Sequence, residues 1–234
     1  MRTTLVMLRR TLLLLATLIG LFGLPACRER PAPQDSQASV VYRIGFPEME
    51  AQMADIAVEV PTGSQPSVEL MMSRWSPGFY RVQDYAGKVV HFSARSPEGE
   101  ALAVERTRPN RWRIETGRNS SVFFTYRLHC PDSFVTTNWV SPELLVLNGG
   151  ATWVAVVGEE DLPHEVWLET APTWTGVATG LSEVEIDSLN HYLADDYDTL
   201  VDAPIVAGEL DITTFLVEGV EHQLVDVGER EGWD

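Results

Sequence analysis

Val122-Phe123-Phe124-Thr125-Tyr126-Arg127-Leu128 alternates at period two: Val122, Phe124, Tyr126 and Leu128 fall on one side, Phe123, Thr125 and Arg127 on the other. Successive side chains of a strand point to opposite faces, so this run predicts a half-buried strand with an apolar inner side. The pattern extends outward in both directions. Val40 to Ile44, Ala54 to Val60, Val68 to Met72, Val89 to Ala94, Leu102 to Arg106 and Arg111 to Glu115 read as strands before it. Leu144 to Leu147, Thr152 to Val157, Glu165 to Glu169, Ile212 to Val217 and His222 to Val227 read as strands after it. Gly and Pro punctuate them at Pro61-Thr62-Gly63-Ser64, Ser96-Pro97-Glu98-Gly99, Asn148-Gly149-Gly150, Ala171-Pro172, Gly180 and Gly219. Short strands at this spacing predict an all-β fold of antiparallel sheets, a sandwich or an open saddle. One short helix is expected over 194–201. Its acidic start (Asp195, Asp196, Asp198) suits a helix N-terminus, and Pro204 stops it.

Charge divides the chain unevenly. The net charge is −17. Residues 158–234 carry 20 acidic side chains and one basic one, Arg230, while residues 27–157 are close to balance with 13 basic and 14 acidic. Such an anionic block argues against nucleic acid as a partner. It fits plain solubility, a cationic partner, or the N-terminal amines of peptides. A hydrophobic content of 44% supports a true core.

The N-terminus reads as an export signal. Arg2, Arg9 and Arg10 precede an apolar run of 13 residues, Leu12 to Leu24. That is short for a membrane span, which takes about 20 residues in a helix. Leu24-Pro25-Ala26-Cys27 resembles a bacterial lipobox, in which Cys27 becomes the lipidated first residue. The alternatives are an ordinary signal cut after Ala26 and an uncleaved anchor. Residues 1–26 are thus expected to be a lipoprotein signal peptide. Residues 27–38, which lack apolar periodicity, are expected to be a disordered tether, and residues 39–234 one β domain. A lipid anchor would place the protein at a bacterial membrane, with the outer membrane facing the periplasm as the expected location.

Trp75-Ser76-Pro77-Gly78-Phe79-Tyr80 sets a rigid turn between strands. Pro77 fixes φ, and Gly78 can take the positive φ that a type II turn needs at its third position. This segment, its continuation Asp84-Tyr85-Ala86-Gly87-Lys88-Val89-Val90-His91-Phe92, Leu147-Asn148-Gly149-Gly150, and Asp195-Asp196-Tyr197-Asp198-Thr199-Leu200-Val201-Asp202-Ala203-Pro204 together resemble the N-terminal domain of the bacterial glycyl-aminopeptidase family. The members are zinc peptidases that also carry a PDZ domain. The resemblance runs from about Val40 to Asp234. It implies that zinc and the catalytic residues belong to a later domain, against which this one packs. It implies no catalytic residue and no cofactor in this chain, and an interdomain contact through Asp195, Asp196, Tyr197, Asp198 and Asp202. The expected function is therefore that of a non-catalytic N-terminal domain, exported and lipid-anchored. The catalytic domain would be missing or separately encoded. The alternative is a stand-alone β-sandwich lipoprotein that binds a peptide, a partner protein or, less readily, a carbohydrate.

Direct tests for chemistry agree with a scaffold. His164-Glu165-Val166-Trp167-Leu168 begins like the zinc-peptidase motif H-E-x-x-H, but Leu168 stands where the second histidine belongs. The segment also alternates as a strand, which separates positions four apart by about 13 Å. The five histidines are never closer than 27 residues in sequence, and no G-x-S-x-G nucleophile elbow is present. Asp195, Asp198 and Asp202 would share one helical face, where they could bind a cation or simply be solvated. Most of the seven Trp residues sit among apolar strand neighbours and are expected in the core. Cys130 is expected as a buried small hydrophobe, with a Cys27–Cys130 disulfide as the alternative.

Overall fold

The computed structural model describes residues 38–76, 78–79, 81–184 and 190–228. The signal segment, Cys27, the tether up to residue 37, Pro77, Tyr80, Arg230 and Trp233 lie outside the described residues.

The largest sheet has eight strands. From edge to edge these are Ser182–Glu183 (β14), His191–Ala194 (β15), His164–Leu168 (β12), Val40–Gly45 (β1), Met53–Pro61 (β2), Ser121–His129 (β8), Val89–Arg95 (β4) and Ala101–Leu102 (β5). A four-stranded sheet orders Gly176–Thr179 (β13), Ile205–Gly208 (β16), Leu144–Leu147 (β10) and Trp139–Val140 (β9). Another orders Val154–Val156 (β11), Ser67–Met72 (β3), Arg111–Glu115 (β7) and Val104–Arg108 (β6). Leu210–Val217 (β17) and Val220–Val227 (β18) form a separate hairpin. Two short α-helices, Gly149–Thr152 (α1) and Tyr197–Asp202 (α2), and two 3-10 helices, Met49–Ala51 and Tyr85–Lys88, complete the described elements. The protein is all-β with antiparallel pairing throughout, apart from the parallel pair β1–β12.

The β2–β8 ladder shows why the alternating run decided the fold. Its register sets Ile56 opposite Tyr126 and Val58 opposite Phe124. All four are buried, as are Val122 and Leu128. Each such side chain stabilises the fold by about 1.5–3 kcal/mol relative to exposure. The outward set of β8 instead holds Arg127, which pairs with Asp55 at 2.6 Å. The Phe92 ring stacks on Trp112 at 4.9 Å and on Phe124 at 5.4 Å, joining two sheets through one aromatic column.

Local differences from the sequence expectations have local causes. The helix spans 197–202 rather than 194–201, because Ala194 is still paired in β15 and Asp196 is extended at φ −155, ψ 176. Asp195 therefore precedes the helix and shares no face with Asp198 and Asp202. The strand expected over 102–106 is split into β5 and β6, which belong to different sheets. Thr152 closes α1 instead of opening β11. Trp112, Trp153 and Trp174 are buried as expected, whereas Trp139 and Trp167 are half-buried and Trp75 is exposed. Cys130 is a buried free thiol, and burial pushes its pKa up to about 12.

Candidate interface at the glycine-rich turn

Asn148, just after β10, precedes a four-residue helix whose residues are all buried. Two glycines make this possible. A Cβ at Gly149 would lie 2.4 Å from the Val201 Cα and its carbonyl oxygen, and one at Gly150 would lie 2.9 Å from Ser76 Oγ and 3.3 Å from the Trp75 carbonyl oxygen. Only glycine permits backbone to approach this closely on both sides. The helix α1 is thereby wedged between the 75–79 turn and α2. Three segments far apart in sequence meet at one place.

The turn itself has the geometry that its sequence implies. Phe79 N–H donates to the Ser76 carbonyl at 3.1 Å, and Gly78 has φ +78, the value of a type II turn. Ser73 Oγ donates to the Trp75 carbonyl at 2.7 Å, and the Gln83 N–H to the Arg74 carbonyl at 2.7 Å. Ser76 Oγ and Tyr85 Oη share a hydrogen bond of 2.9 Å. The loop is thus tied down at both ends while Trp75 projects outward, 54% exposed.

A fourth segment, Asp132 to Asn138, joins it and carried no signal that sequence reasoning used. Asn138 Oδ1 accepts from the Asn148 N–H at 2.8 Å, while its Nδ2 donates to the Ala151 carbonyl at 3.2 Å and to Thr152 Oγ1 at 3.0 Å. Asn148 Nδ2 donates to the Thr137 carbonyl. Phe134, 55% exposed, meets Phe79 edge to face at 5.8 Å. Val135 is exposed beside Phe134, and Val82 is exposed three residues after Phe79. The sequence signal was available: Phe134-Val135 is an apolar pair inside an otherwise polar loop.

Behind the turn lies a polar seam inside the core. Tyr126, Tyr197 and Tyr42 donate their phenols to the carbonyls of Thr152 (2.8 Å), Trp153 (3.1 Å) and Val154 (3.1 Å). Three rings thus satisfy three successive backbone acceptors where α1 passes into β11. Burial raises the pKa of all three phenols. The His164 ring stacks on Tyr42 at 5.7 Å and meets Tyr197 at 5.8 Å. It is 1% exposed, and neither ring nitrogen has a hydrogen-bond partner among the described residues. Burial pushes its pKa down to about 4, against the opposing charge of Asp196.

The five residues expected at an interdomain contact separate by environment. Tyr197 is buried and bonded to the core. Asp196 caps α2, accepting from the Thr199 N–H at 2.7 Å, and that bond holds its carboxyl below the usual range. Asp195, Asp198 and Asp202 are exposed. Glu165, beside His164, points to the other face of β12, where it bonds His191 at 3.2 Å. Among the described residues no group of three His, Cys, Asp or Glu side chains is placed to hold a metal ion. The described residues therefore offer no ligand set that fits zinc.

A larger cleft of about 790 Å³ opens elsewhere, beside Arg43, Asp55, Tyr126 and Arg127. Its most central cation is already engaged, since Arg127 pairs with both Asp55 and Glu48.

The sequence profile of the Peptidase M61 N-terminal domain matches residues 41–209. Among solved structures, the aminopeptidase N family protein from Idiomarina loihiensis is similar over 81% of this chain and 32% of its own, at 26% identity and a TM-score of 0.74. A mutant M1 zinc metallopeptidase from Deinococcus radiodurans matches over 84% of this chain and 48% of its own, at 10% identity and a TM-score of 0.47. Native leukotriene A4 hydrolase from Saccharomyces cerevisiae matches over 76% and 29%, at 8% identity and a TM-score of 0.43. This chain spans about a third of the length of the Idiomarina protein. No curated protein matches it.

Proposed function

Since this chain belongs to the peptidase M61 N-terminal domain family, we propose that it is the scaffold part of a zinc aminopeptidase, of the glycyl-aminopeptidase type. In this reading it contributes no metal ligand and no catalytic residue. It packs against a separate peptidase portion and walls one side of that portion's cleft. The observation that carries the reading is the rim of Trp75, Phe79 and Phe134, held outward by the wedge of Gly149 and Gly150. A folded protein rarely exposes several large apolar rings on pinned loops without a surface to cover them. One of the motifs that prompted the resemblance supplies Trp75 and Phe79 of this rim, and Phe134 comes from the separate 132–138 loop. Asp195, Asp198 and Asp202 would form an acidic border to it, suited to a cationic surface or to peptide amines.

Export and lipid anchoring through Cys27 belong to the same proposal. Their support is the run Leu12 to Leu24 and the lipobox-like Leu24-Pro25-Ala26-Cys27. Cys27→Ser should release the protein from membranes in soluble form; continued retention of that variant would sink the anchor.

The functional test compares the purified chain alone with an enzyme containing both portions. The chain alone is expected to cleave no aminoacyl reporter and to hold no stoichiometric zinc. In the two-portion enzyme, Trp75→Ala and Phe134→Ala should raise KM for a peptide reporter or weaken assembly by about tenfold, the scale of a single interface anchor. Unchanged kinetics and assembly in both variants would overturn the assignment of this rim. Amino acids liberated by the chain alone would overturn the scaffold reading.

A further inference from the structure

The hairpin β17–β18 is bonded to no other strand among the described residues. Its ladder is regular from Leu210 opposite Val227 to Val217 opposite Val220. Glu218 and Gly219 close it with φ +51 and +83, the two positive values of a type I′ turn. The hairpin is well formed, yet it stands largely in solvent.

Its side chains do not match that setting. Residues directly opposite in an antiparallel pair share a face. One face therefore carries Thr213, Phe215, Val217, Val220, His222 and Leu224. Phe215 is 47% exposed, Val220 61% and Leu224 54%. The Phe215 ring stacks on His222 at 5.6 Å, so it lies flat on the strands as a ready surface. The other face begins against the body, where Leu210 lies at Gly176. It continues outward through Ile212 to Leu216, both exposed. Strands that are apolar on both faces read as members of a sheet covered on both sides. A lone two-stranded hairpin is marginal in water, and its open edges invite another strand.

We propose that this hairpin is an incomplete sheet, completed by the peptidase portion. One open edge receives a strand of that portion, and the face of Phe215, Val217, Val220 and Leu224 is covered by it. The proposal rests on the functional reading above and names the element that makes the joint. Three observations select this occupant. The family match ends at residue 209 and the hairpin begins at Leu210, so the hairpin lies outside the framework shared by the N-terminal domain. The similar aminopeptidase N family protein is about three times as long as the part that matches, so a large further portion accompanies this fold there. The hairpin also carries Glu218 and Glu221 at its tip, on the acidic third of the chain. A surface with an apolar floor and a basic border complements it. The turn at Gly149 and the start of the hairpin lie at opposite ends of the four-residue strands β10 and β16, about 13 Å apart along the strand. One partner can reach both.

Hydrogen–deuterium exchange provides the test. The probe is an H-E-x-x-H peptidase portion of this family, either added as a separate protein or joined to this chain in one polypeptide. In the chain alone, amides of residues 210–227 should exchange far faster than those of β2 and β8. With the peptidase portion present they should slow by at least about tenfold, and Phe215→Asp should weaken assembly by about 30-fold. Because Phe215 is half exposed and stacks on His222 within the hairpin, the melting temperature of the isolated variant should stay that of the parent chain. The supporting result is protection of the hairpin that Phe215→Asp abolishes. Assembly with protection confined to the 75–82 and 131–138 loops, and unaffected by Phe215→Asp, would overturn the hairpin proposal and leave the functional reading standing. Absence of any assembly would remove both. A concentration-dependent dimer of the chain alone, lost in Phe215→Asp, would assign the surface to a second copy and overturn the proposed occupant.

Discussion

Gly149 stands against Val201 with room for a hydrogen and nothing more: a Cβ there would lie 2.4 Å from the Val201 Cα. The atom in the way is backbone, so no rotamer change can make space. Everything outward of this contact depends on it, because α1 sets the positions of both Asn148 and the 75–79 turn.

Gly149→Ala should therefore destabilise the domain by about 3 kcal/mol, at the upper end of overpacking costs. Denaturant unfolding measures this directly. A change under about 0.5 kcal/mol, the range of ordinary surface substitutions, would show that the contact relaxes without strain.

Tyr197→Phe keeps the ring and removes the phenol that serves the Trp153 carbonyl. Leaving a buried acceptor unpaired costs about 1–3 kcal/mol, so a loss of that size is expected, with Tyr126→Phe behaving alike at the Thr152 carbonyl. The pair should be less than additive if the seam acts as one network, which a double-mutant cycle reads out.

His164 gives the fold a specific acid sensitivity. Its pKa in the folded protein is about 4, below the ordinary 6.5, because burial opposes the charged ring. Above pH 6.5 the ring is neutral folded or unfolded and contributes no slope. Between 6.5 and 4 the unfolded chain takes up the proton first, so stability falls as pH falls and levels off below 4. The full effect is about 3 kcal/mol. The difference in unfolding free energy between the parent chain and His164→Phe, measured at pH 7, 5.5 and 4, should carry this slope. A constant difference across that range would refute it.

Cys130 should be inert in the native state. With its thiol pushed up to about 12, the thiolate fraction at pH 8 is on the order of 10⁻⁴. In a Cys27→Ala background, an aromatic disulfide reagent should detect no thiol before denaturation and one afterwards. Rapid native labelling would contradict the buried position.

The sheets were legible because period-two patterning is local. The run 122–128 fixed its own inner face, and the partners Ile56 and Val58 carried the same alternation. The short strands β9 and β13 to β16 were not legible, since two to four residues cannot establish a period and none is an unbroken run of large apolar side chains like Leu144–Leu147 of β10. Their strand geometry comes from pairing with neighbours distant in sequence. The helix was displaced for a similar reason: acidic residues mark a helix start, but pairing of β15 through Ala194 postpones it to Tyr197.

Composition, alternation and turn chemistry by themselves determined that this chain is an all-β protein and that Gly78 suits a type II turn, while the motifs in three particular segments carried the resemblance to one peptidase family. Only the tertiary structure decided that those segments touch, that Tyr197 faces inward while Asp198 faces water, and that Phe134 joins the rim. A sequence records which residues a local conformation tolerates. It does not record close approaches such as that of Gly149 to Val201, because these are set by how separate sheets pack, and the distance between them belongs to no single segment.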